Sequence, residues 1–337
     1  MQLPVRLQRA LERELERIPS SELAAASAEL TASYRDPHQS RPPAIISAAQ
    51  RLAYVAVRMP ATYAALYAVF FELKARQPDL QISTLLDLGA GPGTATWAAT
   101  ELFPELKRVT SVEQESGLIE LGRGLAAGFP FSLDWVQKDL RRFGAAPHDL
   151  VILSYVIGEL APDDFVNLIQ RAWNVTTGAL AVIEPGTPPG YQRVIAVRHS
   201  LINAGANLVA PCPHMCECPM LHVRGEWCHF GARVERTSIH RRIKAGILGH
   251  EDEKFSYVIF SRSPVVPSTS RIVRHPLKHT GHVTLELCAQ EGLRTETVSR
   301  KQKKLYNAAR DAQWGDPWPP HSSLMQPLDQ SDTTEQR

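Results

Sequence analysis

Four of the chain's five cysteines lie within twenty residues, in the stretch PCPHMCECPMLHVRGEWCHF at 211–230. Cysteine thiolates at close spacing hold zinc in a closed tetrahedron or anchor an iron–sulfur cluster. The gaps between the four cysteines are three, one and nine residues, which do not match the paired C-x-x-C spacing of a zinc ribbon. The four are Cys212, Cys216, Cys218 and Cys228.

Two cysteines separated by one residue are an awkward pair of ligands for a single metal site. Either Cys216 or Cys218 is therefore expected to be a bystander, and Cys288, the fifth cysteine, is available as the missing ligand. Imidazole nitrogens are also common zinc ligands, so the residue types leave zinc and an iron–sulfur cluster open as alternatives. The histidines close by are His214, His222 and His229.

A second stretch with the residues for ligand binding is LLDLGAGPGTATWAA at 85–99. Glycines after a strand let the backbone approach a ligand closely and expose N–H groups at a helix N-terminus. The D-x-G-x-G-x-G spacing is tighter than that of a G-x-G-x-x-G dinucleotide loop and indicates binding of S-adenosylmethionine. The predicted contacts are Asp87, Gly89, Gly91 and Gly93.

Acidic and phenolic residues end the next predicted strands. Glu113 lies about 20 residues after the loop, where a carboxylate can accept both ribose hydroxyls. Asp139 ends the third strand, where such folds contact the adenine. The stretch SYVIGEL holds Tyr155 and Glu159, which are weak candidates for acting on a substrate proton, with a structural role equally compatible.

The elements that must position these residues follow a regular pattern from residue 83 onward. Short apolar stretches alternate with helical ones, which indicates a parallel α/β sheet. The last two strands are candidates for an antiparallel edge of that sheet. The predicted strands are 84–90, 108–113, 133–139, 149–156, 179–186, 255–263 and 282–290.

Residues 1–80 have the pattern of an all-helical lobe. Leu7, Leu11, Leu15 and Ile18 recur at helical spacing. Pro60 is expected to separate a helix at 43–57 from one at 61–76, so this apolar window predicts a buried helix pair and no membrane span. The first twenty residues alternate Arg and Glu, which predicts neither a secretory signal nor a transit peptide and favours a cytoplasmic protein.

Positive charge is concentrated in one part of the chain. Residues 211–310 hold 17 Lys and Arg against 9 Asp and Glu, whereas residues 1–210 hold 19 against 21. Basic side chains neutralise phosphates, and planar ones stack on exposed bases. The stretch RKQKKLYNAAR, with Trp314 and Trp318 beyond it, is therefore either a solvated face or an RNA-binding surface in which Tyr306 and the tryptophans stack on bases.

Collinear sequence blocks from about residue 40 to 315 resemble the small-ribosomal-subunit methyltransferase-like family, whose animal mitochondrial members are called methyltransferase-like protein 17. The resemblance implies a class I methyltransferase fold and small-subunit rRNA as the partner. It leaves open whether the chain is an active rRNA methyltransferase. The blocks are MPATYAA, LLDLGAGPGTATWAA, SYVIGEL, VIEPGTPPGYQRVIAVR, PCPH followed by CP, WCHF, KFSYVIFSR and AARDAQWGD.

The same resemblance implies a 4Fe–4S cluster, because family members bind one through four cysteines. Matched by motif, the ligands are the cysteine of PCPH, that of the following CP, that of WCHF and one near the last strand. Cys216 falls outside the pattern. The implied ligands are Cys212, Cys218, Cys228 and Cys288.

Together these features predict an α/β protein with a class I S-adenosylmethionine-dependent methyltransferase sheet, Rossmann-like in topology. The expected organisation is a helical lobe at 1–80, a methyltransferase-like domain at 81–320 with a cysteine-rich insertion at 208–250, and a disordered tail at 321–337. A monomer is expected.

Overall fold

The computed structural model describes residues 1–35, 47–235 and 250–320. The chain forms two compact units. The first comprises Met1–Pro211 and Arg224–Val266, so the predicted helical lobe and the sheet belong to the same unit. The second comprises Cys212–Val223 and the chain from Pro267 onward. The predicted insertion at 208–250 is thus divided between the units, and its residues 236–249, like the tail at 321–337, lie outside the described residues.

Three helices precede the sheet: α1 (Val5–Leu15), α2 (Ser20–Arg35) and α3 (Ala48–Arg76). Ser47 and Gln50 form a capping box that begins α3. The predicted break at Pro60 is wrong, because α3 runs through it for 29 residues. Proline removes one backbone donor, but packing on both sides of Pro60 holds the helix together, since Met59 and Ala61 are both buried.

Helix α3 is long and apolar enough to span a membrane by length and composition. In the fold, 72% of its most apolar window is buried inside the protein. Leu66 and Phe70 are among its fully buried apolar side chains. The predicted buried character of this segment is confirmed, as one helix instead of two.

The first unit is organised around a mixed sheet in the order β3-β2-β1-β4-β5-β8-β6, with β7 paired to β8. Strands β1 to β5 are parallel to one another, and β8 is antiparallel to both β5 and β6. The predicted strand at 255–263 is β8. The strands are β1 (Thr84–Leu88), β2 (Arg108–Glu113), β3 (Ser132–Gln137), β4 (His148–Ser154), β5 (Thr176–Pro185), β6 (Asn207–Ala210), β7 (Phe230–Glu235) and β8 (His250–Ser261).

Helices connect the parallel strands: α4 (Thr94–Leu102), α5 (Ser116–Leu125), α6 (Pro162–Asn174) and α7 (Pro188–Asn203). The strand order reverses between β1 and β4, which are adjacent parallel strands of the sheet. In open α/β sheets a ligand binds in the crevice beyond the carboxyl ends of the strands at this point. The order, with an antiparallel β8 between β5 and β6, is that of the class I methyltransferase fold, as predicted.

The second unit has an antiparallel sheet of its own. Its strands are β9 (Ser270–Ile272), β10 (Leu277–His279), β11 (His282–Ala289), β12 (Gly292–Ser299) and β13 (Pro317–Trp318), and its helix is α8 (Lys304–Asp311). The prediction that 282–290 lies at an edge of the main sheet is wrong, since β11 pairs with β9, β10 and β12. Val283, Leu285 and Leu287 face a separate core.

Candidate functional site

The glycine loop between β1 and α4 has the backbone shape that its sequence predicts. Gly89, Gly91 and Gly93 have φ values of 79°, 53° and 83°, a region that side chains with a Cβ disfavour. The N–H groups of Gly89 and Ala90 donate to the carbonyl of Val112 at 2.9 and 3.0 Å, which holds the loop against β2. Gly93 is the N-cap of α4.

Two of these glycines have different surroundings. A Cβ on Gly89 would lie 2.4 Å from Cγ2 of Val156, so this glycine is required for packing. A Cβ on Gly91 would meet no atom within 4 Å. The backbone at Gly91 is therefore open to close approach by a ligand, which fits the cradle expected for S-adenosylmethionine.

Glu113 lies at the carboxyl end of β2 and is joined to the loop. Its Oε2 accepts the N–H of Gly91 at 2.8 Å, and its Oε1 accepts those of Gln114 and Glu115 at 2.8 and 3.0 Å. A carboxylate has about four acceptor positions, so one remains for a ligand hydroxyl. Glu113 ends β2, as predicted, and its contact with ribose hydroxyls stays a prediction.

Asp87 lies near the end of β1, two residues before Gly89, and is 1% exposed. Neither of its carboxyl oxygens has a hydrogen-bond partner among the described residues. Burial, with a smaller contribution from the charge of Glu113, raises the pKa of Asp87 to about 8. This carboxyl is therefore mostly protonated at neutral pH.

The loop after β4 carries Tyr155, which adopts φ 57° although it is not a glycine. Its hydroxyl donates to Oε1 of Glu253 on β8 at 3.0 Å. Nη2 of Arg58, on α3, lies 3.5 Å from the same oxygen. Burial and the neighbouring charge of Glu253 raise the pKa of Tyr155 well above its usual value, so the phenol remains a neutral donor.

Glu159 follows in the same loop, and the residue is exposed. Desolvation of its carboxyl and the charges of Glu113 and Glu184 raise the pKa of Glu159 to about 7. Glu184, at the end of β5, is 1% exposed and accepts from Nε of Arg193 at 2.6 Å. Burial raises its pKa, against the opposing effect of Arg193. Carboxyl groups from β1, β2, β5 and the loop after β4 thus meet at one edge of the sheet, which we call the carboxyl recess.

Asp139 lies beyond the end of β3, where it caps a short 3₁₀ turn. Its carboxylate accepts the backbone N–H of Arg141 at 2.8 Å and forms an ion pair with the same guanidinium. These bonds to Arg141 lower the pKa of Asp139 to about 2. An adenine contact by Asp139 stays a prediction, because its side chain is paired with Arg141 here.

The cysteines are distributed over both units, with Cys228 in the first and the other four in the second. Cys288 is buried, and its Sγ lies 3.6 Å from Nε2 of His214. Nε2 of Gln290 donates to the carbonyl of Pro213 at 3.1 Å, so β11 contacts the cysteine-rich segment directly. Val283, Leu285 and Leu287 belong to the core of the second unit, and Cys288 is not part of that core, which agrees with the prediction that Cys288 points to the opposite face of the strand.

Within residues 1–35, 47–235 and 250–320, no group of three or more His, Cys, Asp or Glu side chains is arranged to hold a metal ion. Cys212 is partly exposed, Cys218 is buried and Cys216 is exposed. The ligand set inferred from the sequence stays a prediction.

The basic side chains at 300–310 are exposed, but Tyr306 and Trp318 are not available for stacking, whereas Trp314 is only partly buried. Tyr306 is 8% exposed and Trp318 is 2% exposed, and both belong to the core under β11. Nε1 of Trp318 donates to Glu296 at 3.1 Å. The predicted base stacking by these two residues is wrong, because the small second sheet needs their apolar area for its core. The exposed cations near them are Arg300, Lys301, Lys303, Lys304 and Arg310.

Sequence reasoning missed three charged residues of the recess: Glu253, Arg58 and Arg193. Glu253 and Arg58 lie outside the glycine loop and the quoted sequence blocks, whereas Arg193 lies within the block VIEPGTPPGYQRVIAVR. The signal for Arg58 was a lone cation within the apolar window of α3, because a charge in a buried helix is placed where it has a partner.

A comparison with protein families decides which family these features belong to. The model described as mitochondrial small ribosomal subunit Rsm22 matches residues 48–319. The chain belongs to the Rsm22 family. The match includes the glycine loop, the carboxyl recess, all five cysteines and the second sheet of this Rsm22-family chain.

Two relatives are named for roles in mitochondria. The human ribosome assembly protein METTL17, mitochondrial, is 28% identical over 287 residues, covering 79% of this Rsm22-family chain and 61% of the human protein. The Schizosaccharomyces pombe Rsm22-cox11 tandem protein 2, mitochondrial, is 28% identical over 324 residues, covering 80% of this chain and 43% of its own length. The chain thus spans about half the length of these relatives.

Solved structures similar to this Rsm22-family chain include methyltransferases. One is magnesium protoporphyrin IX methyltransferase from Synechocystis with bound S-adenosylmethionine, at 14% identity and a TM-score of 0.41, covering 60% of this chain and 80% of that one. Another is a putative RNA methyltransferase from Pyrococcus horikoshii, at 14% identity and a TM-score of 0.39. The match covers 72% of this chain and 95% of that one. The assignment of the fold rests on the strand order given above.

Proposed function

We propose that this chain binds S-adenosylmethionine at the glycine loop and acts in the assembly of the small ribosomal subunit by binding its rRNA. The observation that carries the proposal is the family match over residues 48–319, which spans both units. The names of the relatives connect them with ribosome assembly in mitochondria. A cytoplasmic location and a monomeric state, expected from the sequence, stay predictions.

The glycine loop supports the ligand part of the proposal. The open backbone at Gly91 and the carboxylate of Glu113 would hold the ligand, and the buried Asp87 supplies a further acidic group. When bound, S-adenosylmethionine supplies an activated methyl group. The chain's own residues would orient it: Glu113 fixes the loop by accepting the Gly91 N–H, and Glu253 holds Tyr155 in the loop after β4.

The exposed cations before and on α8 support the RNA part. Lys301, Lys303 and Lys304 lie in the second unit, where they are exposed to solvent. Lysines placed in this way neutralise phosphates without reading sequence. Each phosphate contact contributes close to one unit of slope to the dependence of log affinity on log salt concentration.

Crosslinking of the full chain to RNA in cells tests the proposal. We expect small-subunit rRNA to be recovered, and replacement of the three lysines by Gln to reduce the recovery by about tenfold. In binding measurements with purified protein, the same replacement should reduce the slope of log affinity against log salt concentration by roughly two to three units. The matched control replaces Lys107, Arg108 and Lys138, cations of the first unit, by Gln. Recovery of no rRNA above background, or an equal loss in both triple variants, would overturn RNA binding at this stretch.

A second candidate function is methyl transfer to the rRNA itself. The feature that favours it is the position of Glu159 in the loop after β4, within reach of the charges of Glu113 and Glu184. Desolvation and these charges raise the pKa of Glu159 to about 7, which suits a group that accepts a proton at neutral pH. A tritium-transfer assay with immature small subunits separates the two functions. If Glu159→Gln binds S-adenosylmethionine normally but loses methyl transfer, the chain is an enzyme; if the wild-type chain transfers no methyl group, it acts by binding alone.

A 4Fe–4S cluster at Cys212, Cys218, Cys228 and Cys288, with zinc as the alternative, is a separate part of the proposal. It is supported by the resemblance of the cysteine motifs to the family, and no step above depends on it. The measurement is the iron, sulfide and zinc content of anaerobically purified protein.

A further inference from the structure

The carboxyl recess holds more acidic groups than its cations balance within the contacts described above. Asp87, Glu113, Glu159 and Glu184 interact with one another across the recess. Arg193 is bound to Glu184. Asp87 and Glu184 are buried, and buried carboxyl groups close to other carboxylates are not all ionised, so some retain their protons at neutral pH.

Asp87 differs from the other three because it is fully buried and its two oxygens lack hydrogen-bond partners among the described residues. Glu113 instead accepts three backbone N–H groups, and Glu184 accepts from Arg193 and from the N–H groups of Ile157 and Gly158. A buried polar group without a partner is costly, and sites with this property commonly receive their partner from a ligand. Asp87 lies on β1, two residues before Gly89, so a ligand bound at the glycine loop would be in a position to supply the missing partner.

We propose that the recess releases a proton when it binds S-adenosylmethionine, and that this coupling lets it distinguish the cationic S-adenosylmethionine from S-adenosylhomocysteine, whose sulfur is uncharged. The proposal rests on the proposed function, since it concerns the same ligand. The sulfonium and ammonium charges of S-adenosylmethionine would stabilise the ionised form of the carboxyls. The O–H bond of a protonated carboxyl breaks, and its proton goes to the buffer.

The protonation of the carboxyls in the ligand-free protein decides how the affinity for S-adenosylmethionine changes with pH. Burial raises the pKa of Asp87 to about 8, and that of Glu159 is raised to about 7 by desolvation and neighbouring charges. Affinity for the cation should therefore increase with pH up to about 8 and level off above it. The groups that face these carboxyls are Glu113 of β2, Tyr155 after β4, Glu184 of β5 and Arg193 of α7, with Glu253 of β8 and Arg58 of α3 behind Tyr155.

Calorimetric titration of the full chain in phosphate and in Tris buffers measures the proton exchange directly. At pH 7 we expect release of about one proton with S-adenosylmethionine, and an affinity that increases by up to tenfold per pH unit between pH 6 and 7. S-adenosylhomocysteine should release fewer protons and show a shallower slope. Equal proton release by both ligands, or none by S-adenosylmethionine, overturns the inference while leaving ligand binding intact.

Two variants locate the titrating group. In Asp87→Asn the released fraction should fall below about half a proton, and Glu159→Gln should remove the smaller remainder. The matched control is Glu120→Gln, an exposed carboxyl on α5, which should behave as the wild type. If Asp87→Asn does not fold, infrared detection of a protonated carboxyl in the ligand-free wild type, lost on adding S-adenosylmethionine, replaces it; persistence of that band overturns the inference. Absence of any ligand binding by the wild type instead overturns the proposed function.

Discussion

Tyr155 Oη donates a 3.0 Å hydrogen bond to Oε1 of Glu253, ninety-eight residues further along the chain. Arg58, from α3, lies 3.5 Å from the same oxygen. Three elements that are distant in sequence thereby meet at one carboxylate: α3, the loop after β4 and β8. The contact holds a tyrosine whose backbone φ of 57° is unfavourable for a residue with a Cβ.

Tyr155→Phe should lower the free energy of unfolding by about 1–2 kcal/mol, because it removes a hydrogen bond to a charged acceptor. Urea denaturation measures the change. Tyr67→Phe is the control, since Tyr67 contacts Tyr63 through its ring and its hydroxyl has no hydrogen bond within the described residues. Equal stabilities of the two variants would show that the bond to Glu253 contributes nothing.

Asp87→Asn should increase the stability of the ligand-free protein near pH 8. The folded-state pKa of Asp87 is raised from 3.8 to about 8, so the native protein retains a proton that the unfolded chain releases. The contribution of Asp87 to the free energy of unfolding is fully present below about pH 4. It declines by up to about 1.4 kcal/mol per pH unit as the pH rises towards 8. Asn lacks this decline. Unfolding curves from pH 5 to 8 should therefore diverge, and parallel curves would contradict the buried, raised-pKa carboxyl.

Gly91→Ala should reduce affinity for S-adenosylmethionine by about tenfold or more, because its Cβ would occupy the open side of the loop. Its effect on stability should be only about 1 kcal/mol, since a Cβ there meets no atom within 4 Å and the cost is that of a positive φ. Gly205→Ala is the matched control, because Gly205 has a φ of 75° and a Cβ there would also meet no atom within 4 Å. Equilibrium dialysis should show normal binding by Gly205→Ala; a similar loss in both would indicate a stability effect only.

Cys288→Ser should reduce bound iron and sulfide in anaerobically purified protein to about a quarter of the wild-type content or less, if four cysteines hold a cluster. Cys216→Ser, at an exposed position outside the family pattern, should retain the full content. Colourless wild-type protein containing one zinc would exclude the cluster. Loss of iron on changing Cys216 but not Cys288 would show that Cys216 is a ligand and Cys288 is not.

Much of the first unit was predictable from local patterns. The strand at 108–113 has the predicted bounds, and β1, β4 and β5 each lie within a few residues of theirs. Buried parallel strands are short apolar stretches bounded by turns, so their sequence pattern is direct. The break predicted at Pro60 was wrong because the free-energy cost of one proline inside a helix is small beside the stabilisation from burying a 29-residue helix.

The pairing of the later strands was not predictable. The stretches at 255–263 and 282–290 have similar apolar patterns, yet β8 enters the main sheet and β11 begins a second one. Period-two alternation specifies which side chains share a face but not which neighbour a strand pairs with. Tyr306 and Trp318 show the same limit, since an aromatic residue next to lysines has the same local pattern on a surface and in a core.

By itself, the sequence determined the α/β class, the left-handed glycines of the loop and the acidic ends of β1 and β2, because these depend on residues close together in the chain. Only the tertiary structure decided that Glu253 and Arg58 hold Tyr155, and that Cys288 lies against His214. The physical reason is that charges and thiols act through distance in space, which local spacing does not encode. The raised pKa of Asp87 likewise results from its burial beneath residues supplied by other elements.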